Sequence, residues 1–160
     1  GHSNGGAIAI RGLATGNLTA ERLVLLASSG IRGTYNGRTK AIRFVTKLGK
    51  VVTAPLPASA KKRLRQQVYT TVGSDMLVAE HLQETFKKII TDDVRNDASK
   101  LKLPTLLIYG DKDSQAPISY GETFHKLISG SIFKVIPGAG HFVFLEKPKE
   151  VIQLMEEFLK

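Results

Sequence analysis

Three short apolar runs constrain this chain more than any other feature: Leu23–Ser28 (LVLLAS), Thr105–Tyr109 (TLLIY) and Ile132–Ile136 (IFKVI). They lack the regular apolar-polar alternation of a strand with one wet face, and each is stopped by glycine or proline, at Gly30, Gly110 and Pro137-Gly138. Runs of this length read as strands buried on both faces. Helical patterns alternate with them. Ala7–Leu13 is a run of small and apolar residues, opened by Gly5-Gly6 and closed near Gly16; Ile118–Ile128 and Pro148–Leu159 come later. In the last of these, Val151, Ile152, Leu154, Met155, Phe158 and Leu159 trace an apolar face, while Glu150, Glu156 and Glu157 look outward. Buried strands alternating with helices predict an α/β fold built on a parallel sheet.

The stretch from Gly30 to Ser99 breaks this alternation. It reads as helices over Arg38–Val51, Ala58–Thr71 and Asp75–Thr91, interrupted at APLPAS. Ten basic residues fall between Gly30 and Ser74 (Arg32, Arg38, Lys40, Arg43, Lys47, Lys50, Lys61, Lys62, Arg63 and Arg65), with no Asp or Glu among them. The net charge is +9, so the remainder, with thirteen basic and fourteen acidic residues, is close to neutral. The basicity belongs to one segment, and an electrostatic partner is to be sought there. An insertion lying across the carboxyl edge of a parallel sheet, where α/β proteins bind ligands, would look like this. Residues 30–99 are therefore read as a helical cap inserted into a core formed by 1–29 and 100–160.

Composition removes several chemistries. At 160 residues the chain has the size of one ordinary domain, with no internal repeat and no apolar run long enough to span a bilayer. It has no cysteine, so disulfides, thiolate nucleophiles and cysteine zinc sites are excluded. That absence suits a reducing compartment and makes the cytoplasm the default location; any targeting signal would lie upstream of this sequence. The four histidines (His2, His81, His125 and His141) have no metal-ligand spacing.

Three polar residues fall at telling places. The chain opens GHSNGG, which puts Ser3 between Gly1 and Gly5. One reading is a scar left by tag removal. The other is G-x-S-x-G, a strained strand-to-helix turn that lifts a serine hydroxyl above a sheet, with small neighbours because the turn is tightly packed. After TLLIY comes GDKDSQAP, with Asp111 and Asp113; after IFKVI comes PGAGHFVFLEKP, with His141. The serine, either aspartate and the histidine all fall at the carboxyl edge of the expected sheet. Their order is Ser, Asp, His, which serine hydrolysis needs as nucleophile, orienting acid and base.

These motifs resemble those of the α/β-hydrolase superfamily, specifically its cap-bearing serine hydrolases. GHSNGG resembles the nucleophile elbow, PTLLIYGDKD the acid-bearing strand and loop, and GAGHFVFLEKPKEV the histidine loop and last helix. The resemblance covers Gly1–Ser29 and Lys102–Lys160; residues between match no recognised pattern. It implies Ser3 as nucleophile, His141 as general base and then acid, and Asp113 as the orienting carboxylate, with Asp111 the alternative. No acid follows the strand that ends at Ser28, the family's other location for it. The oxyanion hole would use the backbone N–H of Asn4 and a donor from an earlier loop. A serine in the elbow implies an acyl-enzyme; dehalogenases and epoxide hydrolases of the superfamily carry aspartate there and are disfavoured. No metal or organic cofactor is implied.

The resemblance also implies that the strand leading into Ser3, and the strands before it, lie outside this sequence. They would be supplied by the same or a separate chain. A parallel sheet without its central strands exposes unpaired edges, so the 160 residues alone are expected to be a poor catalyst. Phe142 and Val143, beside His141, are candidates for an acyl pocket or for core. His2 reads as a packing or polar neighbour facing away from Ser3, and His81 and His125 as surface residues.

The expected function is cleavage of an ester or related acyl bond in a small-molecule substrate. Lactone, thioester, amide and carbon–carbon substrates stay open. A second reading is a protein of this fold that binds a small ligand, with slow turnover or none. A third is a basic interaction module. The basic cap reads as a solvated surface or a face for anionic substrates or lipid; nucleic-acid binding is disfavoured because stacking aromatics are few.

Overall fold

The computed structural model describes residues 1–32, 88 and 91–160. The chain divides into two compact units, Gly1–Arg32 with Thr91–Lys160, and Gly33–Ile90. The helices expected over Arg38–Val51, Ala58–Thr71 and Asp75–Thr91 lie outside the described residues, except for Lys88 and Thr91. The division falls at Arg32 and Thr91 rather than at residues 29 and 99. Its reason is packing: Val94 and Ala98 are fully buried in the core of the first unit.

That core is a three-stranded parallel sheet in the order β1 (Leu23–Leu26), β2 (Thr105–Gly110), β3 (Ile132–Ile136). Helix α1 (Asn4–Ala14) precedes β1, α2 (Arg95–Ala98) precedes β2, and α3 (Ile118–Leu127) joins β2 to β3. The short α4 (Val143–Glu146) and α5 (Pro148–Leu159) end the chain. No helix among the described residues is long and apolar enough to cross a membrane.

Every residue of β2 is buried. It is the middle strand, and its side chains alternate between two apolar layers. Leu107 and Tyr109 pack with Ile10 of α1, Ala98 of α2 and Phe124 of α3. Leu106 and Ile108 pack with Val143 of α4 and Val151 of α5. Because both faces are covered, the run TLLIY has no polar interruption. Leu107 is fully buried, so Leu107→Ala is expected to lower stability by about 2–5 kcal/mol through lost transfer energy and an unfilled cavity. Urea unfolding would show this as a lower midpoint at an unchanged slope.

The other two runs depart from expectation. Strand β3 is not buried on both faces: Ile132 is 44% and Val135 39% exposed, and among the described residues this strand is paired only with β2. Strand β1 stops at Leu26, where Ala27 takes φ 44° and turns the chain out of the ladder.

The segments that flank residues 33–90 are tied together. The N–H of Val94 donates to the Gly30 carbonyl at 2.8 Å, and that of Arg32 to Asp93 Oδ2 at 3.3 Å. From α1, Arg11 donates to both oxygens of Asp92, to Asp97 Oδ2 at 3.0 Å and to the Asp93 carbonyl at 3.2 Å. These pairs are half-exposed, so they order the segment more than they stabilise it. Hydrogen bonds from the Arg95 side chain hold the Asp93 carboxyl below its ordinary 3.8. A depressed folded-state value means that this stabilisation is present above pH 3.8 and is lost as the pH falls through the lower folded value. Asp93→Asn is expected to flatten that part of the acid dependence in denaturation series run from about pH 5 to pH 2.

Candidate active site

The local chain forces Ser3 into an unusual conformation. It stands immediately before α1 with φ 50° and ψ −124°, a region that costs a residue with a side chain on the order of 1–3 kcal/mol. Backbone bonds hold it there. The Ser3 N–H donates to the Leu26 carbonyl at 3.1 Å, and the Ser3 carbonyl accepts from Gly6 at 3.0 Å and Ser29 at 3.1 Å. His2 bridges Leu26 in parallel, although Leu26 is already paired with Ile108, so the turn abuts the side of β1 opposite β2.

Glycine is required close by, but not quite where the motif suggests. A Cβ on Gly1 would lie 2.9 Å from the Gly5 carbonyl oxygen, and one on Gly6 would lie 2.2 Å from Ser28 Oγ. At Gly5 there is nothing within 4 Å. The tight packing expected at Gly5 therefore falls on Gly6, where α1 presses against the end of β1. Asn4 opens the helix, so its N–H is one of those that helix geometry leaves without an intrahelical acceptor.

Asp113 follows β2 and is turned inward. Its Oδ1 accepts the backbone N–H groups of Gln115 at 2.7 Å and Ala116 at 2.9 Å. Its Oδ2 is 2.8 Å from His141 Nδ1, and the carboxylate is fully buried. An ionised carboxylate only accepts, so Nδ1 carries the proton and Nε2 of the neutral ring is left as the acceptor. Asp111 is engaged elsewhere: its Oδ1 accepts from Gly138 N–H at 2.6 Å. The structure thus pairs His141 with Asp113 and uses Asp111 to hold the turn after β3.

The histidine loop is tethered at consecutive residues. Besides the bond at Gly138, the Ala139 carbonyl accepts from Lys112 N–H at 2.9 Å, and Gly140 N–H donates to Glu146 Oε2 at 2.8 Å. The His141 carbonyl accepts from His2 Nε2–H at 3.0 Å. Gly110 makes this approach feasible, since a Cβ there would sit 2.2 Å from the Ala139 oxygen. The loop-holding parts of Asp111, Glu146 and His2 were not read from the sequence. For Asp111 and His2 the motif neighbourhood was a signal; Glu146 offered none.

Four aromatic rings gather at this point. His2 lies 4.8 Å from His141, 5.5 Å from Phe142 and 5.0 Å from Phe144, measured between ring centroids. His2 is therefore a packing neighbour, and its contacts are with the histidine loop. Phe142 is 49% exposed and meets His141 edge-on. Val143, the other pocket candidate, is fully buried among Leu106, Ile108 and Val151 and packs the core. His125 is exposed on α3 with Nδ1 2.8 Å from Ser131 Oγ, and His81 lies outside the described residues. Among the described residues, no group of three His, Asp or Glu could hold a metal ion.

Comparison with known proteins bears on the fold. A family model described as alpha/beta hydrolase fold matches residues 33–148, which takes in Asp113, His141 and the central segment that resembled nothing by sequence alone. Monoacylglycerol lipase ABHD6 of Mus musculus is 30% identical over 81 residues, 48% of this chain and 24% of that protein. A pimeloyl-[acyl-carrier protein] methyl ester esterase of Neisseria meningitidis serogroup B is 32% identical over 79 residues, 49% of this chain and 31% of that protein. The aligned part is thus a quarter to a third of the length of these curated relatives. Among solved structures, a bromoperoxidase from Bacillus anthracis superposes with a TM-score of 0.66 at 20% identity, covering 99% of this chain and 65% of that one. A serine hydrolase involved in carbazole degradation superposes at 0.64 and 24% identity, covering 99% and 61%.

Proposed function

The chain belongs to the alpha/beta hydrolase fold family, and on that premise we propose that it serves as a serine hydrolase cleaving an ester or related acyl bond of a small-molecule substrate. One observation carries the reading: His141 Nδ1 bonds a fully buried Asp113 at the carboxyl edge of a parallel sheet that also bears the strained Ser3. A buried Asp–His pair leaves the opposite ring nitrogen free to take a proton. The curated relatives include a lipase and a methyl ester esterase, which favours carboxylic ester substrates.

In this mechanism His141 Nε2 accepts the Ser3 hydroxyl proton as Oγ attacks the substrate carbonyl. The N–H of Asn4 donates to the oxyanion that forms. The tetrahedral species collapses, the alcohol leaves with the proton from His141, and Ser3 is acylated. Water then attacks the acyl group while His141 takes its proton, which releases the acid and restores Ser3. Asp113 stays ionised throughout and keeps the imidazole in the required tautomer.

The test is labelling with a fluorophosphonate, followed by intact mass and peptide mapping. A stoichiometric adduct on Ser3, absent from Ser3→Ala, would support the proposal. An unlabelled protein that binds acyl ligands without turnover would overturn it in favour of a binding role. A panel of acyl esters would then define the acyl chain accepted.

A further inference from the structure

The aromatic cluster contains one hydrogen-bonding side chain that the mechanism above does not use, His2. We propose, on the basis of that serine-hydrolase reading, that His2 is a positioning residue, whose Nε2–H bond to the His141 carbonyl fixes the catalytic histidine relative to Ser3.

His141 follows the sequence Pro-Gly-Ala-Gly, and a segment with two glycines loses much conformational freedom when ordered. The contacts at Gly138, Ala139 and Gly140 tie it to Asp111, Lys112 and Glu146. All three belong to the acid loop or to α4, so they set the histidine loop relative to Asp113 and not to the nucleophile. His2 is different. Its backbone is locked beside β1 through the bridge to Leu26, and it is covalently joined to Ser3. Its ring reaches across to the His141 carbonyl at 3.0 Å and lies 4.8 Å from the His141 ring.

The bond has one polarity. A carbonyl cannot donate, so His2 Nε2 carries the hydrogen. The flanking rings of Phe142 and Phe144 restrict the imidazole to this direction. His2 thus connects the nucleophile's turn directly to the base's backbone, by a path independent of Asp113. Misplacing a reacting group by about 1 Å can cost on the order of 100-fold in rate. A connection of this kind is therefore expected to act on kcat and not on substrate affinity.

Three variants test it. His2→Phe keeps a ring but removes the donor; His2→Gln offers an amide N–H near the Nε2 position; His2→Asn offers one that stops short. The expected result is a 10- to 100-fold slower fluorophosphonate labelling of Ser3 in the Phe variant, with a matching fall in kcat for an ester and KM within about twofold. The Gln variant should regain most of the rate and the Asn variant little of it. The downfield proton resonance of His141 Nδ1–H should shift or broaden in Phe and Asn and return in Gln. If the Phe variant fails to fold, the comparison of Gln with Asn carries the same test. Wild-type labelling with equal rates in folded variants, or a Gln variant no better than Asn, would overturn the role of His2. An unlabelled wild type would instead overturn the serine-hydrolase reading beneath it.

Discussion

Ser3→Ala is expected to lower kcat for ester hydrolysis by about 10⁴- to 10⁶-fold, with KM changed little. The alanine methyl has no oxygen to attack the substrate carbonyl, so the covalent route closes altogether. On the proposed mechanism, what survives is the rate that binding and the Asn4 N–H supply by themselves. Alanine also keeps the backbone bonds that Ser3 makes through its N–H and carbonyl, so the fold is not expected to suffer. Steady-state kinetics beside a thermal melt would separate the two. A fall below tenfold in a folded variant would mean that the nucleophile lies elsewhere.

Asp113→Asn is expected to cost about 10³- to 10⁴-fold in kcat, for a reason visible in the hydrogen bonds. Oδ1 of Asp113 accepts two backbone N–H groups, from Gln115 and Ala116. An asparagine must place its carbonyl oxygen there, which turns its NH₂ toward His141. The imidazole then has to present Nδ1 as an acceptor and move its proton to Nε2. In that tautomer it cannot receive the proton of Ser3. The neighbouring substitution is the control. Asp111→Asn retains an oxygen for Gly138 N–H and is expected to leave kcat within about threefold. Similar losses in the two variants would contradict this division of labour between the aspartates.

The parts of the molecule legible in the sequence were those governed by short-range rules. The run TLLIY announced a doubly covered strand because β2 is one, with side chains committed to two apolar layers. The order of Ser3, Asp113 and His141 announced one shared edge because β1, β2 and β3 run parallel. The run IFKVI misled because β3, which among the described residues pairs with β2 alone, is as apolar as the central strand; what separates them is the presence of a further neighbour, which strand composition does not encode. GDKD offered two carboxylates, and their choice rests on a contact between residues 28 positions apart. The exchange of Gly6 for Gly5 as the crowded position depends on where Ser28 lands, which no local pattern specifies. The clasp of Arg11 on Asp92 and Asp97 was equally hidden, since its members are more than 80 residues apart.

The adjacency of Gly30 and Val94 has a consequence for how such a protein can be altered. Within the first unit, the segments on either side of residues 33–90 are neighbours, held by a backbone bond of 2.8 Å and by Asp93. For a flexible connection with fixed ends, doubling its length costs only about 0.6 kcal/mol in closure entropy. On closure entropy alone, the length of chain between two points fixed in this way is a weak constraint on the sheet. A foreign segment grafted between these two points, with residues 28–32 and 91–98 untouched, is therefore expected to leave the three-stranded sheet folded.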